Sequence, residues 1–387
     1  MRKKDGFLWQ LKRRETLVVY FLRNRKKIVG EKSFYPEKEH KSKRQIFWEL
    51  FFHILKYGEL DCTYFVNGID VKGANYSDYI SFHQFMVRRD RLNMIRRDCY
   101  DNAEPANYAC ILRDKALFSV FASHWGFPVV RDLAKMVNKE LTESEYDSME
   151  DLLNKNHHVF IKPVDGQKGE NVFSVDVADD GVYINGEHSS IAEVESMIMS
   201  ASMSRDMLFQ MKIEQHSDVG AFHKESVNTL RVVTINHLHS SNPKDVVLVG
   251  SELRVGCGGS HTDNVSAGGL KIGVKEDGTL TDYGFYDKEH GTKTTAHPDS
   301  GIAFKGYSLP FYNESIQLCK EFHSKLKGIH LIGWDIAITE EGPVFVEGNE
   351  SCGTDFQVMF GPMRKFYDTY LPYSEEGEKY VFKSKLN

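Results

Sequence analysis

Residues 331–350, LIGWDIAITEEGPVFVEGNE, constrain the fold more than any other stretch of the chain. Two apolar runs flank Glu340-Glu341-Gly342-Pro343, and such a break reads as two strands joined by a tight turn. Asp335 interrupts the first run, and Glu347 and Asn349 interrupt the second. Glu347 and Asn349 stand two apart, so both leave the same face of a strand. With the hairpin centred on Glu341, Asp335 falls opposite Glu347 and joins that face. Trp334, Ile336 and Ile338 then share the other face, towards a core. Two carboxylates and an amide, with no sulfur or imidazole beside them, are hard donors that suit magnesium carried with a phosphate ligand. The same trio also suits a hairpin with a polar outer face, and the remainder of the chain has to decide between the two.

The length of 387 residues allows two to three domains. The six cysteines are scattered with no CxxC pair, which speaks against a disulfide framework or a zinc knuckle and fits a reducing cytosol. No apolar run reaches the length of a membrane span. The net charge of −6 hides an asymmetry, because residues 1–47 hold 15 Lys or Arg against 5 Asp or Glu. That is +10, leaving −16 on the rest. Mixed with Phe7, Leu8, Trp9, Leu11, Val18, Phe21 and Leu22, this basic leader fits either peripheral contact with an anionic membrane or a solvated helical extension packed on its own domain. The acidic body makes nucleic acid a poor partner.

Residues 1–107 read as a basic, mainly helical N-terminal domain. Lys115 opens a helix that ends at Gly126, and residues 130–155 read as a charged helical stretch. A strand at Val159–Ile161 ends in Lys162-Pro163, and a loop with Gly166 and Gly169 returns as a second strand. Such a loop can drape backbone N–H groups over phosphates while the lysine neutralises charge. Residues 207–215 read as another strand, containing Gln210, Lys212 and Ile213. Arg231 sits on the strand that follows Asn228, where its guanidinium is held for a phosphate or carboxylate. Arg254 ends a strand, a Gly-rich loop carries His261 and Asn264, and Lys271 opens the next strand. His297 lies in a further loop, and Leu309–Leu326 reads as an amphipathic helix leading to the hairpin.

The order of these parts resembles the ATP-grasp superfamily, most closely the sugar-transfer-associated, glutamate-ligase-like family. The passages ESVNTLRVVTI, ELRVGCGGSHTDNVSAGGLKIGV, AHPDSGIAFKG and GWDIAITEEGPVFVEGNE carry the likeness, over roughly residues 108–362. The resemblance implies an α/β (α+β) fold in which two α+β subdomains, 108–209 and 210–387, clasp ATP. It implies that Lys115 and Lys162 contact nucleotide phosphates and that residues 165–171, with Gly166 and Gly169, form a lid over them. Gln210, Lys212 and Ile213 would meet adenine, and Asp335, Glu347 and Asn349 would hold magnesium. Arg231, Arg254 and Lys271 would stand near the transferred phosphoryl group, with Asn228, Asn264 and His297 on the substrate side. Gly333 departs from the pattern, since relatives carry an arginine there, and Arg231 or Arg254 must supply that charge.

The activity implied is an ADP-forming carboxylate–amine ligase working through an acyl phosphate, with ATP and Mg2+ as cofactors. Its substrates would be small carboxylates and amines, linked by the family resemblance to surface-polysaccharide assembly, and its location cytoplasmic. The alternatives are an ATP-grasp kinase acting on a sugar or metabolite hydroxyl and a nucleotide-binding module without turnover.

Overall fold

A computed structural model describes residues 3–98, 108–166, 172–260, 262–263, 268–287, 293–326, 328–353 and 355–372. The chain divides into two compact units, one of residues 1–104 with 353–387 and one of residues 105–352. The C-terminal segment therefore groups with the N-terminal residues, whereas the sequence reading attaches it to the second subdomain.

The first unit is helical. It contains α1 (Lys3–Val29), α2 (Lys43–Tyr57) and α3 (Phe82–Asp98), with short helices at Phe356–Phe360 and Arg364–Tyr370. Helix α2 starts at Ser42, whose side chain accepts from the Gln45 N–H, and stops at Gly58 in the left-handed region at φ 68°. Phe21 of α1 packs with Ile46, Leu50 and Ile54 of α2 in a closed cluster. The C-terminal segment is tied in by polar contacts. The Gln357 amide exchanges two hydrogen bonds with the Ile80 backbone, at 3.0 and 2.7 Å, and Arg88 donates to Asp368 at 2.7 Å.

The second unit holds two seven-stranded sheets, all of whose pairings are antiparallel. The first comprises β1 (Asp132–Val137), β2 (Glu140–Thr142), β3 (His158–Pro163), β4 (Phe173–Ala178), β5 (Gly181–Ile184), β6 (Glu187–Ser189) and β7 (Met207–Met211), in spatial order β2-β1-β7-β3-β4-β5-β6. The second comprises β8 (Thr229–Ile235), β9 (Val247–Val255), β10 (Leu270–Val274), β11 (Leu280–Tyr286), β12 (Lys293–Thr294), β13 (Leu331–Thr339) and β14 (Gly342–Asn349), in order β12-β11-β10-β9-β8-β13-β14. Helices α4 (Ala109–Arg113) and α5 (Lys115–His124) precede the first sheet, and α6 (Met149–Asn156) and α7 (Ile191–Ser202) pack on it. The short α8 (Ser217–Gly220) leads into β8, and α9 (Tyr312–Lys325) packs under the second sheet. Helix α7 opens with a complete capping box between Ser190 and Glu193.

Two sequence expectations need correction here. Residues 130–155 are not one helix, since β1 and β2 occupy 132–142 and only Met149–Asn156 is helical. Asn138 and Lys139, at φ 48° and 71°, make the two-residue turn between the strands without a glycine to announce it. Leu133, Ala134 and Met136 point inward. A boundary between residues 209 and 210 would also cut β7, which runs from Met207 to Met211.

The second sheet has one apolar and one polar face. Leu230, Val232, Leu253, Val255, Ile272 and Trp334 fill the core against Phe322 of α9 and Phe118 of α5. Residues of opposite parity on the same strands carry the charged groups described next, as the two-residue period of a strand requires.

Candidate functional site

The site begins with the hairpin of β13 and β14. Asp335 pairs with Glu347, and Gly333 with Asn349. The turn itself is tighter than a loop centred on Glu341, because Thr339 pairs with Gly342. An irregularity between Asp335 and Ile336 absorbs the difference, with Ile336 opposite Phe345 and Val346 left as the extra residue. This bulge lets Phe345 face the core, fully buried, while Glu347, two residues on, faces the site. Gly348 turns back to the core. A Cβ there would stand 2.8 Å from Leu112 and 3.2 Å from Trp334.

Arg231 lies across from Asp335 in β8 and grips both of its oxygens, Nη2 at 2.7 Å from Oδ2 and Nε on Oδ1. Burial alone would raise the Asp335 carboxyl, but Arg231, with Arg254 behind it, holds it below the usual carboxylate range. The guanidinium in turn is kept charged beyond its ordinary value by Asp335, against the opposing effect of burial. The Asn349 amide donates to Glu347 at 3.0 Å and to Asp335 at 3.4 Å, drawing the three oxygen-bearing side chains together. A Cβ on Gly333 would meet Cys352 at 2.7 Å and the Arg231 Nη1 at 3.3 Å. No side chain fits at Gly333, and Arg231 occupies the space beside it.

The polar face continues along the register. Glu252 of β9 lies opposite Arg231, and Arg254 lies opposite both Thr229 and Lys271. Arg254 donates twice to Glu252, at 2.9 and 2.8 Å, and Lys271 is buried beside it. Asp263, on the loop after β9, accepts from the backbone N–H of Thr229 at 3.1 Å and from its hydroxyl. Burial pushes the Asp263 carboxyl up to about 6, despite Thr229 and Arg254 pulling it down.

The first sheet supplies the opposing cations. Lys162 is buried, and desolvation lowers its ammonium to about 8, with Glu347 drawing it back up and Lys115 pushing it further down. Lys115, at the start of α5 behind its Asp114 cap, donates to the Gly166 carbonyl at 2.7 Å and stands 3.5 Å from Glu347. It thus ties the loop after β3 to the hairpin of the other sheet. Gln210 pairs with Phe160, shares a face with Lys162, and donates to Asp132 at 2.6 Å. Lys212 continues that face but lies just past the end of β7, where it bonds Asp176 at 2.8 Å beside His158. Ile213 also falls outside the strand and is half-buried.

Other expected positions fare differently. Asn228 is completely buried, donating to the Val219 and His223 carbonyls and accepting from the Gly256 N–H, which makes it a brace for the loop after β9. His297 is likewise buried, with Nε2 2.8 Å from the Gly256 carbonyl and Nδ1 accepting from Ser300. Its imidazole braces the same loop, with burial lowering its pKa. Gly169, His261 and Asn264 lie outside the described residues. Conversely Glu252 and Asp263 belong to the polar face of the second sheet, and Asp132 stands beside Gln210 on the first, though the sequence reading does not single them out. Glu252 could have been found from its two-residue spacing to Arg254.

Two carboxylates and an amide on one hairpin are thus brought together with cations from both sheets and a lysine reaching between them. The sequence profile of the sugar-transfer-associated ATP-grasp family matches residues 95–363, well over half of the chain. The chain belongs to that family.

The fold is accordingly that of an ATP-grasp protein. No curated protein matches the sequence. Similar solved structures include N5-carboxyaminoimidazole ribonucleotide synthetase from Thermotoga maritima, at 11% identity and TM-score 0.34, covering 68% of this chain and 48% of that one. D-alanyl-alanine synthetase A from Vibrio cholerae is similar at 13% identity and TM-score 0.38, covering 70% and 62% respectively. D-alanine–D-alanine ligase from Bacillus anthracis complexed with ATP is similar at 11% and TM-score 0.34, covering 71% and 66%. This ATP-grasp chain spans less than two thirds of the length of each.

Proposed function

We propose that the protein is an ATP-dependent, ADP-forming carboxylate–amine ligase. The observation that carries this reading is the charge arrangement of the cleft: Asp335 and Glu347 are paired on one hairpin, and Lys115, Lys162, Arg231, Arg254 and Lys271 surround them. Such a field suits phosphoryl transfer, which is mostly a matter of positioning and electrostatic stabilisation. The nucleophile comes from the substrate, so the cleft needs no activated serine or cysteine of its own.

In the first step a substrate carboxylate oxygen bonds to the γ-phosphorus as the bond to the ADP oxygen breaks, giving an acyl phosphate. In the second, an amine nitrogen bonds to the acyl carbon and phosphate leaves. Lys115 and Lys162 would neutralise the phosphates, and Arg254 and Lys271 would hold the acyl phosphate oxygens. Arg231 would act chiefly by fixing Asp335, since two of its donors are committed there. Asp263, whose carboxyl is raised towards neutrality, is suited to take the amine proton through the oxygen that Thr229 does not hold. The all-oxygen set of Asp335, Glu347 and Asn349 fits Mg2+, which when bound would offset phosphate charge.

We propose as the acceptor class a sugar acid or amino acid used in surface-polysaccharide assembly, a reading supported by the family's association with sugar transfer. The same reading keeps the protein where ATP is, on the cytoplasmic side, with residues 1–47 as its contact to a membrane. The test is ADP release from ATP against panels of uronic acids and amino acids, with hydroxylamine present. A ligase gives a hydroxamate of its carboxylate substrate. ADP release with a phosphorylated alcohol and no hydroxamate would assign a kinase instead, and binding of ATP with no ADP release from any acceptor would leave a non-catalytic module.

A further inference from the structure

Helix α2 is apolar on two opposite sides, which a helix covering a single core does not require. One side, with Ile46, Leu50 and Ile54, is buried against Phe21 of α1. The other side carries Trp48, Phe52 and Leu55 at helical spacing, exposed at 44%, 59% and 43%. The Trp48 and Phe52 rings stack at 5.5 Å, and the half-buried Phe47 and Phe51 join this outer surface to Phe21. Helix α1 shows the same excess. Leu8, Leu11, Val19 and Leu22 recur every three or four residues, interrupted by Glu15, and all four are exposed. An apolar surface of this kind needs a partner.

The charges around it identify that partner. Lys12, Arg23, Lys26, Lys27, Lys43 and Arg44 are exposed on the same two helices, and no ion pair engages them among the described residues. Arg14 instead turns inward to donate to the Leu55 and Lys56 carbonyls at the end of α2. A second copy of the chain would bring like charges together across a two-fold contact. Stacked bases would use the rings but not the aliphatic Leu8, Leu11, Val19, Leu22 and Leu55. A lipid surface uses all three features. Aliphatic groups enter the acyl boundary, tryptophan rests at headgroup level, and lysines and arginines meet anionic phosphates. No helix of the described residues is long and apolar enough to cross a membrane, so the contact would lie along the surface.

We propose that the outer face of α1 and α2 docks on an anionic lipid bilayer, with Trp48, Phe52 and Leu55 seated at the headgroup boundary. This gives the basic leader a defined contact surface that extends past residue 47 into α2. It stands independently of the reaction catalysed in the other unit.

The test is sedimentation of the whole chain with vesicles. Those of equal phosphatidylcholine and phosphatidylglycerol should bind it at least about ten-fold more tightly than vesicles of phosphatidylcholine alone, and added salt should weaken the binding. Trp48→Ser with Phe52→Ser should reduce that binding about ten-fold or more. Lys43→Glu with Arg44→Glu should do so through charge alone, and because both residues are exposed this pair keeps the test valid if the aromatic variant does not fold. Trp48 emission, obtained as the difference from Trp48→Phe, should shift to the blue on the anionic vesicles. Failure to sediment with anionic vesicles, or undiminished binding by the charge-reversed variant, overturns the proposal. So does a dimer in solution that Trp48→Ser with Phe52→Ser converts to monomer, because the face then belongs to a second copy.

Discussion

At the scale of single residues, the cleft sets its two lysines and two carboxylates in unequal environments, and the differences are measurable. Lys162 is buried and carries an ammonium lowered to about 8 by desolvation. Below that pH it is charged and ready for a phosphate, and above it the side chain becomes neutral. ATP affinity measured by titration calorimetry should therefore fall as pH rises through about 8, and the fall should vanish in Lys162→Arg, which cannot lose its proton. Lys162→Ala should cost about 2 kcal/mol of ATP binding, roughly 30-fold in Kd. Asp335 and Glu347 differ in another way. Asp335 is locked to a buried Arg231, so Asp335→Asn strands a guanidinium and should lower folding stability by about 3 kcal/mol in denaturant titration. Glu347 is not held by an arginine; it stands 3.5 Å from Lys115 and accepts from the Asn349 amide. Glu347→Gln is thus the cleaner probe, expected to abolish magnesium-dependent turnover with little change in unfolding midpoint. Sequence spacing brings Asp335, Glu347 and Asn349 together correctly, but it cannot say that one of them is already held by an arginine. That depends on the neighbouring strand, 104 residues away in the chain.

At the scale of elements, the hairpin is held from below by a chain of buried polar groups. The Trp334 indole donates to the Thr234 hydroxyl at 2.8 Å, which lies 2.7 Å from His323 Nδ1, while Nε2 of that ring stands 3.2 Å from the Ile329 carbonyl. Burial lowers His323 to about 3, so the folded chain keeps the ring neutral. An unfolded histidine takes a proton near 6.5, and between those values the unfolded state binds more protons. Stability should accordingly be lost as pH falls below about 6.5, and melting curves between pH 7 and 5 should show a smaller acid loss in His323→Gln. Thr234→Val strands the Trp334 N–H and should cost about 2 kcal/mol. These elements were unequally legible. Strand β13 is readable because its run is long and its turn conspicuous, and Trp334, Ile336 and Ile338 share a buried face as alternation requires. The bulge at Val346 is not readable, since nothing local distinguishes it from a one-residue shift of the turn. The β1–β2 hairpin is hidden for a related reason, because Asn138 and Lys139 adopt positive φ without glycine and the surrounding charges mimic an exposed helix. Asn228 and His297 look like substrate contacts in sequence because the backbone groups they bond leave no mark there.

At the scale of the whole molecule, ligand binding and folding should be linked through the two sheets of residues 105–352. The hairpin carboxylates belong to the second sheet and Lys162 to the first, while Lys115 touches Gly166 on one side and approaches Glu347 on the other. Without ligand, Lys162 carries the cost of a desolvated ammonium, and the hairpin carries two neighbouring carboxylates, Asp335 held by Arg231 and Glu347 near Lys115. On the proposed function, a polyanion bringing a divalent cation would relieve both at once, its phosphates offsetting the lysines and its metal the carboxylates. ATP with Mg2+ at about 100 times its Kd should then stabilise the native state by about 2.7 kcal/mol, a rise of a few degrees in melting temperature. The two contributions separate by substitution. Glu347→Gln should keep the part of the shift given by ATP alone and lose the increment that Mg2+ adds, whereas Lys162→Ala should lose most of the part given by ATP. A Glu347→Gln protein that keeps the full magnesium increment would remove the hairpin from the metal site, and the cation would have to be sought among Glu252, Asp263 and Asp132.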